Sequence, residues 1–323
     1  MPTYGETLIA VLPFYHAYGQ SLLAMALKIG SPIVTMKRFD RQLYLENIQK
    51  YKTKTLYTVP PMIVFLAKDA MVSRYDLSSV RTVVTGAAPV GEKLTLDLLS
   101  RLPNIELFLQ GYGMTECTVA SHMSLPVPSI PHGTIGQLLP NCEAKIIDPD
   151  TGAELGPNQD GELLIRTPAV MKGYINRHNA TAQTIDGQGW LHTGDIARYD
   201  DAEYFFVVDR VKELIKVKGR QVAPAEIEDL LLGVPGIADA AVIGIQDAEA
   251  GERPKAFVVR KDSNEGKRLR ESDVKHAVKE KLARFKHLAH VEFVDAIPKS
   301  PSGKILRRQL REKVALNAGK SKL

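Results

Sequence analysis

The sequence predicts an α/β fold in two parts: a large N-terminal domain with a parallel-rich sheet and a small β subdomain, then a small α+β C-terminal domain. Three observations carry this. Strand-like apolar runs alternate with helical-period segments as far as Gly111; short strands broken by Pro, Gly, Asn and Asp follow from about Gly133 to Val208; and the alternation resumes after Asp209. With 323 residues, 44% of them hydrophobic, the chain has apolar material for a core in each part.

In chain order, residues 7–12, 32–36, 55–59, 80–85 and 105–109 read as strands, and residues 20–27 and 91–102 as helices between them. A sheet so assembled is mainly parallel and covered by helices. Its ligands are expected beyond the carboxyl ends of strands, where glycine-bearing turns at residues 85–89 and 110–116 directly follow predicted strands. Turns at residues 148–152 and 156–161 punctuate the small β subdomain. Further on, residues 224–232 form a helix with Pro224 near its start and Gly233 at its end, followed by strands at 240–245 and 255–259. Ser272 is expected to cap a helix bearing Val274, Val278 and Leu282, ahead of a strand at 291–294. The domains are therefore drawn at 1–209 and 210–323.

Lysine and arginine total 42 against 37 acids, a +5 excess that suits a soluble protein handling anions and gives no reason to expect a nucleic-acid partner. The two cysteines, Cys117 and Cys142, lack the CxxC spacing of a redox or zinc motif and are too few for a disulfide framework. No apolar run reaches the ~18 residues of a membrane span, and the first residues lack a secretory layout. The chain closes on Ser321, Lys322 and Leu323, the address read by the peroxisomal import receptor, so a peroxisomal location is expected.

The strongest local motif is Gln110-Gly-Tyr-Gly-Met-Thr-Glu116. Its two glycines would let backbone approach a ligand, the Tyr112 ring can stack on adenine, the Thr115 hydroxyl can bond a phosphate oxygen, and the Glu116 carboxylate can hold a magnesium ion. A plain turn would explain the glycines alone. Trp190-Leu-His-Thr-Gly-Asp195 places Asp195 beyond a tight turn, where a carboxylate could bind both ribose hydroxyls. Arg210, Lys212, Lys216 and Lys218 concentrate at the domain boundary, a pattern that composition alone would read as a solvated basic strand. Lys304 stands on a Ser/Gly-rich loop before a basic helix, placed to deliver an ammonium to a phosphate or carboxylate, or simply to face water.

Taken together and in this order, the segment 11–16, Thr85-Gly-Ala-Ala-Pro89, the 110–116 block, Thr193-Gly-Asp195, residues 207–218, Gln221-Val-Ala-Pro-Ala-Glu226 and Ser302-Gly-Lys304 resemble the adenylate-forming superfamily. That superfamily holds acyl-CoA synthetases, aryl-CoA ligases, firefly luciferase and peptide-synthetase adenylation domains, and the 4-coumarate:CoA ligase-like members look most similar. The resemblance implies an AMP-binding domain over 1–209 and a mobile C-terminal domain over 210–323. It also implies an enzyme that uses ATP, Mg2+ and coenzyme A to turn a small-molecule carboxylic acid, fatty or aryl-propenoic, into an acyl-adenylate and then a thioester.

By the same resemblance, Gln110, Gly111, Tyr112 and Thr115 hold the nucleotide, Glu116 ligates magnesium and serves catalysis, Asp195 grips the ribose and Arg210 reinforces that grip. Lys304 is the mobile catalytic lysine and Lys216 a second catalytic lysine. Lys212 matches the hinge on which the small domain swings between half-reactions. Arg38, Lys218, Gly219 and Gln221 match the CoA side; His16, Tyr18, Gly86, Ala87 and Pro89 match the acyl pocket, although an isolated histidine beside Phe14 and Tyr15 would otherwise read as packing.

The pattern breaks in two places. The family's Ser/Thr/Gly-rich phosphate loop and Pro-Lys-Gly have no match here, nor does the first part of the large domain, so the N-terminal domain is expected to be incomplete, with part of the pyrophosphate cradle missing. Arg220 stands where relatives commonly carry an aromatic or aliphatic residue. Three readings follow: an incomplete form or fragment of an active ligase; a genuine short form that has lost the complete cycle, a truncated, non-catalytic nucleotide or CoA-binding protein; and a luciferase-like oxidase.

Overall fold

A computed structural model describes residues 4–127, 130–300 and 303–320. Ser321, Lys322 and Leu323, and with them the expected import address, lie outside the described residues. The chain divides into two compact units, the first built mainly from Met1–Thr193 and Ala197–Val207, the second mainly from Val208–Ser300 and Lys304–Leu323 together with Gly194–Ile196.

The first unit begins with β1 (Leu8–Ala10), α1 (Ala17–Ile29), β2 (Ile33–Thr35), α2 (Arg41–Tyr51), β3 (Thr55–Thr58), α3 (Pro60–Lys68), β4 (Thr82–Thr85), α4 (Glu92–Arg101) and β5 (Leu107–Tyr112). Strands β3, β4 and β5 are parallel and in register, with Thr58 beside Thr85 and Thr85 beside Gln110. Successive residues point to opposite faces, and both faces are covered: Leu56 and Val83 pack with Ile63, Leu66 and Leu98 on one side, Tyr57 and Val84 with Leu8, Leu22 and Ala26 on the other. That double burial is why these strands read as continuous apolar runs. β1 and β2 pair with each other in parallel.

Helix α2 starts where the Asp40 carboxylate accepts the Leu43 amide at 2.8 Å, and α3 starts with Pro60 and Pro61 in its first turn, where missing amide hydrogens cost nothing. Strand β5 runs on through Gln110, Gly111 and Tyr112, which correct the expected turn: Gln110 completes the parallel ladder with Thr85, while Gly111 and Tyr112 pair antiparallel with β6 (His122–Met123). β7 (Gln137–Leu138) extends the sheet beyond β6. Only the residues after Tyr112 turn.

The small β part holds β8 (Glu143–Ile147), β9 (Glu154–Leu155), β10 (Gly161–Arg166), α5 (His178–Thr184), β11 (Leu191–Tyr199) and β12 (Phe205–Arg210), with strands ordered β12-β11-β10-β8-β9. Gly161 is required there, since a β-carbon on it would fall 2.4 Å from the Ile147 carbonyl oxygen.

The second unit comprises β13 (Ile215–Val217), β14 (Arg220–Val222), α6 (Pro224–Leu232), β15 (Ile237–Asp247), β16 (Gly251–Arg260), α7 (Asn264–Arg268), α8 (Glu271–Lys281), β17 (His290–Phe293) and α9 (Arg307–Lys320). Its sheet runs β14-β13-β16-β15, with β17 parallel to β16, and α6 and α8 bury Ile227, Leu231, Val274 and Val278 against Val242 and Val258. Ser272 is not the cap of α8. The cap is Arg270, two residues earlier, where the Asp273 carboxylate accepts the Arg270 amide at 2.8 Å, and Leu282 lies just past the helix end.

Among the described residues no helix is long and apolar enough to cross a membrane, and no cluster of three or more His, Cys, Asp or Glu stands ready for a metal ion.

Candidate active site

In the first unit the parallel register decides the geometry. Because Thr85 and Gln110 are neighbours, the chain leaving β4 lies beside the last residues of β5, and a β-carbon added to Gly86 would sit 3.4 Å from the Gly111 carbonyl oxygen and 3.5 Å from the Tyr18 ring. Tyr18 donates its hydroxyl to the Val84 carbonyl at 3.2 Å, and its own amide is capped by Nδ1 of His16 at 3.2 Å. His16 is therefore a helix cap whose Nδ1 is the acceptor, leaving its proton on Nε2. The structure thus gathers His16, Tyr18, Gly86 and Gly111 at one end of the sheet. Ala87, with φ +71, and Pro89 lie exposed in the loop beyond Gly86.

Gln110 spends its side chain on that loop. The buried amide accepts the Val90 N–H at 3.0 Å and donates to the Val90 carbonyl at 3.1 Å, pinning the exit of β4 to β5. Gly113 likewise serves the chain's own backbone: a β-carbon there would lie 2.0 Å from the Val119 carbonyl oxygen, so the expected approach of a ligand is replaced at this glycine by close packing of residues 119 and 120.

Thr115 and Glu116 open a short helical turn, Thr115–Cys117. Thr115 is exposed. Glu116 is half-buried and docked at two atoms: its backbone carbonyl accepts the Met171 amide at 2.7 Å, and its Oε1 accepts the Tyr174 hydroxyl at 2.6 Å. The Glu116 carboxylate in turn pushes the Tyr174 phenol up. Tyr174 is 58 residues away in sequence, so no local pattern marks it. Tyr112 stacks edge-on to the buried His122, ring centroids 5.7 Å apart, and His122 meets Phe205 at 4.5 Å.

In the second unit Arg210 donates from Nε to Oδ1 of Asp195 at 3.0 Å, one of the few charged pairs with a nearly buried carboxylate. Next to it, buried Asp209 accepts the Arg210 amide at 2.7 Å and the Ala225 amide at the start of α6 at 2.8 Å, and burial pushes its carboxyl up. Lys212 is exposed on the short helical turn Val211–Glu213, and Lys216 is exposed on β13. Lys218 and Gly219, with φ +50 and +76, form the two-residue turn of the β13–β14 hairpin, and exposed Gln221 pairs opposite Lys216. Arg220 lays its guanidinium over the Phe285 ring at 4.9 Å. Lys304 is exposed on a hairpin whose rungs are Ser300 N–H to Lys304 carbonyl at 2.8 Å and Lys304 N–H to Ser300 Oγ at 3.1 Å. Arg38 is exposed in the bend between β2 and α2, in the first unit.

These placements meet the comparison with known proteins. The AMP-binding enzyme family matches residues 2–175, more than half the chain, and the AMP-binding enzyme C-terminal domain matches residues 226–304. The chain belongs to the AMP-binding enzyme family. Among curated relatives, 4-coumarate–CoA ligase 2 of Nicotiana tabacum is 49% identical over 96% of this chain and 57% of its own length. A 4-coumarate-CoA ligase 1 of Narcissus pseudonarcissus is 46% identical over the same shares. The chain of this AMP-binding enzyme therefore spans a little over half the length of the curated relatives it matches. Among solved structures, ATP-bound MatB from Rhodopseudomonas palustris superposes with a TM-score of 0.87 at 28% identity, over 96% of this chain and 60% of that one. The o-succinylbenzoate CoA synthetase of Bacillus subtilis, in complex with its acyl-adenylate intermediate, gives 0.80 at 29% identity, over 94% and 60%.

Proposed function

We propose that this AMP-binding enzyme is the nucleotide- and CoA-handling part of an ATP-dependent acid–CoA ligase, acting through an acyl-adenylate. The observation that carries the reading is the register of Thr85 beside Gln110, which sets the Gly86 loop against Gly111 at the carboxyl end of a parallel sheet, where such sheets take their ligands. The names of the relatives, coumarate and succinylbenzoate ligases, support an aromatic or aryl-propenoic acid, and a fatty acid is the other substrate class proposed.

In this reading Gly111, Tyr112 and Thr115 hold AMP beside Gln110, whose side chain shapes the loop. Asp195, oriented by Arg210, binds the ribose hydroxyls. The Glu116 carboxylate, with Oε1 fixed by Tyr174, is a hard oxygen donor that fits magnesium, and the ion when bound neutralises phosphate charge. Lys304 presents an ammonium that offsets the repulsion as a carboxylate approaches the α-phosphate, the step in which two anions must meet. His16, Tyr18, Gly86, Ala87 and Pro89 border the acyl group. Lys212 is the hinge, Lys216 a second catalytic cation, and Arg38, Lys218, Gly219 and Gln221 meet CoA. Ser321, Lys322 and Leu323 direct the protein to the peroxisome through the import receptor.

The test is to incubate the purified chain with ATP, magnesium, CoA and a panel of aryl-propenoic and fatty acids, and to measure AMP and acyl-CoA by mass spectrometry beside Lys304→Ala. Acid-dependent AMP and thioester that vanish in the variant support the reading. AMP binding with no product from any acid would leave a binding protein instead.

A further inference from the structure

Helix α9, which follows Lys304, is held by apolar packing, by the more exposed ion pairs of Arg311 with Glu213 and Lys313 with Glu292 further along it, and by one buried ion pair at its start. Leu310 packs with Ala241, Ile243, Phe257 and Ile297, contacts that hold the helix down without fixing its rotation or register, since apolar burial has no preferred direction. The first residue of the helix is held differently. Nη2 of Arg307 meets both carboxylate oxygens of Glu228 on α6, at 2.7 and 2.8 Å, while its Nε donates to the Val242 carbonyl on β15 at 3.2 Å. Glu228 closes the triangle by accepting the Val242 amide at 2.7 Å. The pair is buried, with side-chain exposures of 14% for Arg307 and 10% for Glu228.

A buried ion pair is a poor way to gain stability, because two desolvated charges cost about as much as their attraction returns and apolar residues of similar size would serve as well. Its distinctive property is direction: a guanidinium held by both oxygens of one carboxylate and by a carbonyl can occupy one orientation only. Arg307 is three residues from Lys304, so that orientation passes along a span of at most about 11 Å of chain. The other end of the hairpin is tied in the same manner, with Nζ of Lys299 2.6 Å from Oδ2 of Asp239 on β15 and residues 299 and 305 bridged across. Both ends of the segment that presents Lys304 are thus bolted by charge to one strand and the helix beside it.

We propose that Glu228, acting through Arg307, is the positioning residue for Lys304, setting where the ammonium is delivered; this rests on Lys304 being the reactive cation of the proposed ligase. Glu228 touches no reacting atom.

The experiment replaces the pair together, Glu228→Met with Arg307→Met, in the full chain, so that no buried charge is left alone. Hydrogen exchange is followed at the amides of Ser300, Lys304 and Leu306 and across the β15–β16 ladder. Exchange at the three hairpin amides is expected to rise about tenfold with the ladder unchanged. Acid-dependent AMP formation is expected to lose about tenfold in kcat, with KM for the acid within about twofold. Arg307→Lys keeps a cation opposite Glu228, and so the fold, but loses the planar fork; it should show the same pattern at about threefold. Unchanged hairpin exchange in these variants overturns the proposal, as does an equal rise through β15 and β16, which would make the pair a scaffold contact. If Lys304→Ala leaves AMP formation intact, the chemistry assigned to Lys304 fails, and the exchange result decides the anchoring independently.

Discussion

Arg210 and Asp195, fifteen residues apart, meet side by side on β12 and β11 with Nε of the one 3.0 Å from Oδ1 of the other. The carboxylate is 7% exposed and the guanidinium 45%, so the pair is neither a screened surface contact nor a sealed one. Arg210 orients the carboxylate that the proposed function assigns to the ribose hydroxyls.

Asp195→Ala should therefore weaken AMP binding by about 10- to 100-fold, the range for losing charge-assisted hydrogen bonds, measured by isothermal titration calorimetry. Arg210→Lys keeps the charge and loses the fixed donor, and about threefold is expected. Equal affinity in all three proteins would remove Asp195 from the nucleotide site.

Tyr174→Phe deletes only the hydroxyl that holds Oε1 of Glu116. Partners that orient a metal-ligating carboxylate commonly contribute tenfold or more to metal affinity. The magnesium concentration for half-maximal nucleotide binding should rise by about tenfold, with thermal stability nearly unchanged because Tyr174 is exposed. A magnesium response identical to the parent would mean that Glu116 needs no such support.

The parallel strands were legible because burial on both faces leaves a nearly unbroken apolar run, and Leu56-Tyr57 and Val83-Val84 each feed two cores. Gln110 and Gly111 looked like a turn because their strand character is tertiary, supplied by Thr85 on one side and Met123 on the other. Helices α2 and α3 did carry local marks, Asp40 as a cap and the Pro60-Pro61 pair at a helix start. The residues that brace the candidate site left none: Tyr174 is 58 positions from Glu116 and Arg307 is 79 from Glu228, so only the fold brings them together.

Two glycines should respond oppositely to alanine. At Gly113 a β-carbon would lie 2.0 Å from the Val119 carbonyl oxygen and 2.6 Å from the Ala120 α-carbon, so the backbone behind Thr115 and Glu116 must move. Gly113→Ala should cost about 3 kcal/mol or more in urea unfolding and disturb nucleotide binding with it. Gly156 has open space around its α-carbon and no left-handed φ. Gly156→Ala should be neutral or stabilising by about 0.4–1 kcal/mol, through the lower entropy of its unfolded chain.

His122 makes stability depend on pH with a definite sign. Its ring is fully buried between Tyr112 and Phe205, Nδ1 lies 2.9 Å from Ser121 Oγ, and Nε2 has no hydrogen-bond partner among the described residues. Burial pushes its pKa from 6.5 down to about 3. Between those two values the unfolded histidine takes up a proton that the folded one refuses. Stability from this group is complete above pH 6.5 and falls as pH drops, by about 1.4 kcal/mol per unit, until the folded ring protonates near 3. From pH 6.5 to pH 5 the loss from His122 should be about 2 kcal/mol. Urea unfolding at the two pH values, parent against His122→Leu, isolates it: the variant starts less stable at neutral pH, lacking the Ser121 contact, but its loss on acidification should be smaller by that amount. Equal losses in both proteins would mean that folded His122 can accept a proton after all, which its enclosure between two aromatic rings argues against.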